Sequence, residues 1–331
     1  MTQKYNFDFI GFGALNADTF YSIMPDRQLG NIVSDLLPGG ERIGTESERD
    51  QVIENAEKYA EITGKSGGGQ AANTAVALAR MGFKCGFIGK VGNDELGDLL
   101  LQSMENVDKS HIQREGNSGT CLCILDQSGE RANIVFPGCN DTLSINESDI
   151  DYVKSGRFLH ITSFCSEDIL HLQEKLLDQD LGDTKVTFDP GEIYSRLGID
   201  RLCGILRRTN ILFATSKEVE LITGKEYHKG IKEIIDCGTE IVACKMSEHG
   251  SMIVTREDDI IIPVTRVEKV VDKTGAGDVY AAGFIAGMLS GLPLESCGNL
   301  ASRAAAVSIT GYGREKYPDD EFLRQFIHPK F

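Results

Sequence analysis

The stretch of this sequence with the most evident chemistry is Asp272-Lys273-Thr274-Gly275-Ala276-Gly277-Asp278. An apolar run, Val267 to Val271, precedes it, and small residues follow: Val279, Ala281, Ala282, Gly283, Phe284, Ala286 and Gly287. The order predicts a strand, a glycine turn and a helix N-terminus. The first turn of a helix leaves N–H groups without partners, and the helix dipole adds partial positive charge there. Gly275 and Gly277 put no Cβ between that backbone and a ligand. Such a turn suits a phosphate. A carboxylate at its rim, Asp278, is unfavourable unless it has a task. Accepting the proton of a hydroxyl that attacks a phosphoryl group is such a task. The plainer reading is a loop-to-helix junction capped by Asp278.

A second glycine-rich stretch, Gly67-Gly68-Gly69-Gln70-Ala71-Ala72-Asn73, opens a helix running through Thr74, Ala75, Val76, Leu78 and Ala79 to Gly82. Its glycines bring main chain close to a ligand, and Asn73 can donate and accept toward hydroxyls. Farther upstream, the apolar strand Phe7 to Gly13 ends in Asn16-Ala17-Asp18. Gly11-Phe12-Gly13 imitates a dinucleotide fingerprint, but Asn16 replaces its third glycine. Thr63-Gly64-Lys65-Ser66 imitates the end of a P-loop, but Tyr59 stands where the earlier glycine is needed.

In this order the two glycine stretches resemble the signatures of the ribokinase-like (PfkB) carbohydrate and nucleoside kinases. The resemblance implies that Gly275, Ala276 and Gly277 form the anion hole and that Asp278 is the catalytic base. It implies that Asn16, Asp18, Gly68, Gly69 and Asn73 line the acceptor pocket. Thr215-Ser216-Lys217-Glu218 resembles the segment that positions magnesium and phosphates, with Thr215 in place of Asn and Glu218 acting on Mg²⁺ through water. Lys245-Met246-Ser247-Glu248-His249-Gly250 resembles the nucleotide loop, with Ser247 in place of glycine and Gly250 permitting the turn. Asn299 lies on the helix expected to border adenine, and Asp272 fits a K⁺ site. The implied cofactors are ATP and Mg²⁺, and the residues leave open whether a K⁺ site is kept at Asp272. Gln70 stands where ribose-type members often carry Lys, and Lys273 where a small or β-branched residue is commoner.

The elements that must hold these residues are legible as alternation. Strands are predicted over 85–91, 158–161, 185–189, 210–214 and 240–246, and helices over 95–106, 167–177, 216–223, 231–237 and 294–310. Alternation of this kind means βα units and a mainly parallel sheet, with ligands at the carboxyl ends of its strands. The fold class is therefore α/β, and the resemblance specifies a three-layer ribokinase-like fold with a mainly parallel central sheet and a small β-lid. Thr120 to Leu125 and Arg131 to Phe136, joined by Asp126-Gln127-Ser128-Gly129, predict a hairpin that resembles this lid. The lid is expected from parts of 14–66 and 118–138, with pairing of two lids into a homodimer. Residues 19–45 read as irregular, and 46–63 as a charged surface helix, either decorative or a cap that selects the substrate. Asp94 reads as a helix cap, and Asp189 as either structural or substrate-facing.

The 331 residues, 41% hydrophobic and 25% charged, predict one large globular domain spanning 1–331. A formal net charge of -16 disfavours nucleic acid and anionic membrane as partners. The nine cysteines are scattered without zinc spacing and read as small buried hydrophobes. Neither a secretory leader nor a membrane-length apolar run occurs, so a reducing, cytoplasmic location is expected. The resulting expectation is an ATP-dependent kinase phosphorylating a hydroxyl of a small sugar. A nucleoside is the alternative acceptor, a phosphosugar ranks third for want of basic residues, and a nucleotide-sensing protein without catalysis is the alternative of another class.

Overall fold

The computed structural model describes residues 5–127 and 130–327. Its frame is a nine-stranded sheet in the spatial order Asp259–Ile262, Ser251–Val254, Ile241–Lys245, Ile211–Thr215, Lys185–Asp189, Gly156–Thr162, Phe7–Phe12, Cys85–Val91 and Val107–Arg114. All pairs are parallel except the two made by Ser251–Val254 with its neighbours. Alternating side chains leave the sheet on opposite faces, and two separate cores result. Phe9, Phe87, Phe213 and Ile253 meet the helices Gln70–Arg80, Ala276–Leu289 and Leu294–Ser308. Ile10, Phe12, Leu159, Phe188 and Leu212 meet Glu167–Leu177, Ile199–Leu206, Ser216–Thr223 and Tyr227–Cys237. The expected three-layer α/β fold is present.

Ala276–Leu289 is apolar around its whole circumference, as a helix buried on all sides must be. Gly283 and Gly287 let Leu294–Ser308 approach closely: added Cβ atoms would lie 2.8 Å from the Ala301 Cα and 2.9 Å from the Cys297 Cα. The N-terminus of Ala276–Leu289 is thus fixed at the carboxyl edge of the sheet.

A second sheet of five strands stands apart, in the order Glu41–Ile43, Arg131–Phe136, Gly119–Leu125, Asn16–Ile23 and Ala60–Gly68. The hairpin expected from Thr120 and Arg131 is its centre, although Ser128 and Gly129 of the connecting turn lie outside the described residues. Two expectations need correction here. Residues 19–23, expected to be irregular, belong to the strand Asn16–Ile23, and the helix from Glu46 stops at Tyr59, with 60–68 a strand antiparallel to 16–23. Helix Glu46–Tyr59 begins with a Thr45–Glu48 capping box. With Leu29, Ile32, Val33 and Leu36 it covers Tyr21, Leu122, Ile124 and Ile134 of the sheet. The chain therefore buries that apolar face itself, and a homodimer formed through it would have to displace its own helix.

Val267 to Val271 is also not a strand. The backbone N–H groups of Val271 and Asp272 donate to the carbonyl of Ile309, at the end of Leu294–Ser308, instead of joining the sheet. The described residues contain no helix long and apolar enough to cross a membrane.

Candidate active site

Gly275, with φ of 74°, is the N-cap of Ala276–Leu289, and its left-handed backbone explains the glycine. The Ala276 N–H donates to the Lys273 carbonyl at 3.2 Å, so Ala276 is already engaged in the turn. Gly275 and Gly277 have no such backbone acceptor. The Thr274 hydroxyl is buried without a partner, which suits a bound polar group.

Asp278 sits in the first turn, 8% exposed. Its Oδ2 accepts from Asn73 Nδ2 at 2.8 Å, and its carbonyl accepts from the Thr74 hydroxyl at 3.2 Å. Asn73 in turn accepts from Arg314 Nε at 3.0 Å through Oδ1. Arg314 is anchored on Ser103, so a half-buried guanidinium orients the amide that orients the carboxylate. Burial, reinforced by Asp189, pushes the Asp278 carboxyl up to about 7, while Asn73, Lys245 and Arg314 oppose that shift. A carboxylate with that poise is suited to general-base work.

Two cavities adjoin the turn. One of about 330 Å³ is lined by Asn16, Asp18, Gly69, Asn73, Gly275 and Asp278, and by Glu41, Arg131 and Asn133 of the second sheet. Gly68 lies beneath it: a Cβ there would fall 2.0 Å from an Asp18 oxygen, so this glycine makes room for the carboxylate. Burial raises Asp18 to about 7. Burial, with Glu192, Glu218 and Asp189 nearby, raises Glu41 equally to about 7. Arg131 is spent on Asp272 at 2.8 Å. Asn133 Oδ1 is buried without a partner. The cavity thus presents carboxylates and amides, with apolar wall from Val135, Phe164 and Ile193.

The second cavity, about 540 Å³, also borders the turn, through Lys273, Ala276 and Gly277. Thr215, Lys245, Ser247, Gly250, Lys273 and Tyr280 line it, with Val264, Val270, Ala305, Ala306 and Ile309 as an apolar wall. Gly277 lines both cavities. A Cβ at Gly277 would meet Lys245 Nζ at 3.2 Å, so this ammonium lies against the anion-binding turn. Lys245 is ion-paired with the buried Asp189 at 2.9 Å, and its pKa is raised, mainly by Asp189 and Glu218, against the opposing cost of burial. Asp189 thereby takes the structural reading.

The other expected residues fall less simply. Thr215 and Glu218 cap Ser216–Thr223 reciprocally: the Glu218 N–H donates to the Thr215 hydroxyl, and the Thr215 N–H donates to Glu218 Oε2 at 2.6 Å. Glu218 nevertheless lines the first cavity, and burial raises its pKa. Asn299 is outside the lining of the second cavity, whereas Ser302, one turn on, is within it. Ser302 accepts from the Thr265 N–H and donates to the Pro263 carbonyl, holding the 263–265 segment in place. The Asp272 carboxylate, the candidate for a K⁺ site, is engaged by Arg131 and by the N–H groups of Thr274 and Gly313. Asp94 is the cap expected, accepting from the Gly97 N–H. Glu41, Arg131 and Arg314 were missed by sequence reasoning. Arg131 and Arg314 act on residues 141 and 241 positions away, Glu41 reaches the cavity through the second sheet, and nothing local marks any of them.

Residues 42–319 match the model of the pfkB family of carbohydrate kinases. The chain is 37% identical over 251 residues to an uncharacterized sugar kinase of Archaeoglobus fulgidus, covering 73% of this chain and 98% of that one. It is 30% identical over 272 residues to an ATP-dependent ribose-1-phosphate kinase of Halopiger xanaduensis, covering 81% and 88%. Its fold matches the adenosine kinase of Sinorhizobium meliloti with a TM-score of 0.84, over 97% of this chain and 99% of that one at 20% identity. It matches Arabidopsis thaliana ribokinase, solved with ribose and ATP, with a TM-score of 0.76 over 98% and 99% at 20% identity. The fold is the ribokinase-like α/β fold.

Proposed function

The chain belongs to the pfkB family of carbohydrate kinases, and on that premise we propose that it phosphorylates a hydroxyl of a small, uncharged sugar at the expense of ATP. The observation that carries this reading is the turn at Gly275–Asp278, shared between a polar carboxylate-lined cavity and a larger cavity with an apolar wall. The larger cavity takes the nucleotide, its apolar wall facing the base and Lys245 and the turn facing the phosphates. The smaller takes the acceptor, with Asp18, Asn16 and Asn73 receiving its hydroxyls.

Asp278 accepts the proton of the attacking hydroxyl. That oxygen bonds to the terminal phosphorus as the bond from phosphorus to the departing diphosphate breaks. The N–H groups of Gly275 and Gly277 stabilise the negative charge that builds on the transferred group. Asn73 fixes the Asp278 carboxylate, and Arg314 fixes Asn73. The second sheet serves as the lid that excludes water, a competing acceptor. Among the groups lining the first cavity beside the turn, the oxygens of Thr274, Asp278 and Glu218 suit Mg²⁺, and Glu218 is the residue that would hold its water shell. Bound there, the ion supplies charge neutralisation to the phosphates. Asp272 is already satisfied by Arg131 and two N–H groups, and its carboxylate is therefore assigned to fastening the second sheet to the turn rather than to K⁺.

Carboxylates dominate the acceptor cavity, and its one lining arginine is paired with Asp272. Above pH 7, where Asp18, Glu41 and Asp278 are ionised, an acceptor bearing phosphate or carboxylate would meet repulsion there, which places phosphosugars and sugar acids behind neutral polyols. The apolar patch of Val135, Phe164 and Ile193 supports a nucleoside as the second reading, its base lying on that wall. Catalysis is favoured over nucleotide sensing because Asp278 is held by a relay that a sensor has no use for.

The deciding experiment is ATP consumption with Mg²⁺, with and without K⁺, against free sugars, nucleosides and phosphosugars. Turnover of a neutral sugar is expected. Turnover confined to a phosphosugar would contradict the charge argument, and ATP binding without turnover of any acceptor would favour the sensor.

A further inference from the structure

The acceptor cavity has a sulfur wall that the proposed reaction does not use. Cys121 and Cys123 are two residues apart on the strand Gly119–Leu125, so their side chains share a face. Parallel pairing sets Asp18 opposite Cys121 and Phe20 opposite Cys123. The two Sγ atoms are 3.7 Å apart. Both sulfurs and an Asp18 carboxylate oxygen lie within 4.8 Å of one another. All three residues line the cavity, and Cys165 packs against the same cluster. In a tetrahedral zinc site, two sulfurs each about 2.3 Å from the metal are about 3.8 Å apart. The spacing already present needs little change to accept such an ion.

We propose that Asp18, Cys121 and Cys123 form a site for a thiophilic divalent cation of the Zn²⁺ class, and that the bound ion competes with the acceptor for Asp18. On binding, two S–H bonds break and their protons pass to solvent, while two metal–sulfur bonds and one metal–oxygen bond form. No electrons are exchanged. The fourth position faces the cavity and takes water. No sequence spacing announces the site, because its ligands are a C-x-C pair and a carboxylate about a hundred residues upstream, joined only by strand register.

The test uses the full chain, freed of metal by chelation, in a Cys237→Ser background. That change removes the other close thiol pair, Cys203 and Cys237, whose Sγ atoms are 2.9 Å apart. Cd²⁺ titration reads the ultraviolet thiolate-to-metal charge-transfer band, and competition with a chromophoric chelator reads Zn²⁺ affinity. One equivalent should bind, and Cys121→Ser and Cys123→Ser should each weaken binding by more than about 100-fold, the upper end of what outer-shell changes cost. Asp18→Asn, which keeps both thiols, should weaken it without abolishing the band, and it serves if a cysteine variant fails to fold. A missing band, or one indifferent to both serine variants, overturns the site while leaving the kinase reading intact. The kinetic arm rests on that reading: Zn²⁺ should raise the KM for the acceptor and leave the KM for ATP unchanged. Binding with an unaltered acceptor KM overturns the competition and counts against the cavity as the acceptor pocket.

Discussion

The two cavities that meet at Gly277 are built from different parts of the molecule, and their chemistry differs accordingly. The larger is carved from the main frame: strand ends and the helices Ala276–Leu289 and Leu294–Ser308, whose small residues leave an apolar slot. The smaller is closed by the second sheet, which supplies Asp18, Glu41, Arg131 and Asn133. A wall shared by frame and helices suits a substrate common to many enzymes of one fold. A wall assembled from a separate sheet can vary without disturbing the frame, and on the proposed assignment that is the wall the acceptor meets. The residues numbered 24–59, which could have been decoration, cover the outside of that sheet and carry Glu41 into the cavity.

The sharpest way to break this comparison is at the point where the cavities join. Asp278→Asn should lower kcat by about 10²-fold or more, within the range of general-base contributions, with nucleotide affinity retained by calorimetry. Next in size is Lys245→Met. Removing one partner of a buried ion pair costs about 3–5 kcal/mol, and here it strands Asp189 near Glu218 and Asp278. Denaturant unfolding should show a loss of that order, and a loss below about 1 kcal/mol would mean that the pair is solvated.

Arg314→Gln should act more mildly, loosening Asn73 and so Asp278. The expected signature is a fall in kcat with little change in either KM, and an equal rise in the acceptor KM would mean that Arg314 touches the acceptor directly. The smallest effect concerns pH. Asp18, Glu41 and Asp278 all titrate near 7 in the folded protein, well above their usual range. The folded chain therefore keeps protons that the unfolded chain releases, so this contribution to stability is complete at low pH and lost as pH rises through 7. His160, held down to about 4 by burial, works in the opposite sense, but its effect is complete above about 6.5. Between pH 6.5 and 8 the melting temperature of the ligand-free protein should fall, and a rise would contradict the raised carboxylates.

Much of the frame was legible in the sequence because buried parallel strands and amphipathic helices carry strong periodic signals. The 167–177, 185–189 and 216–223 elements stand where the pattern puts them. The glycine turns were legible because a positive φ at Gly275 leaves few alternatives to glycine. The second sheet was only half legible. Ala60–Gly68 is an exposed edge strand without an apolar stripe, and its polar residues continue the charged pattern of the helix before it. Val267 to Val271 has strand composition, but the Ile309 carbonyl claims the N–H groups at its end. Asn299 and Ser302 lie one turn apart on the same helix, and only the packing decides which faces the slot. Arg131–Asp272 and Arg314–Asn73 join segments that no local pattern connects.

The division of labour between the cavities is tested most directly by crossing two variants with two substrates. Glu41→Gln removes a charged acceptor from the second-sheet wall, and Ala305→Phe fills the apolar slot. At about pH 8, where Glu41 is largely ionised, Glu41→Gln should raise the acceptor KM about tenfold or more, as loss of a charge-assisted hydrogen bond does, and leave the KM for ATP alone. Ala305→Phe should do the reverse. If either variant shifts both constants together, or the two effects are exchanged, the assignment of the cavities is wrong.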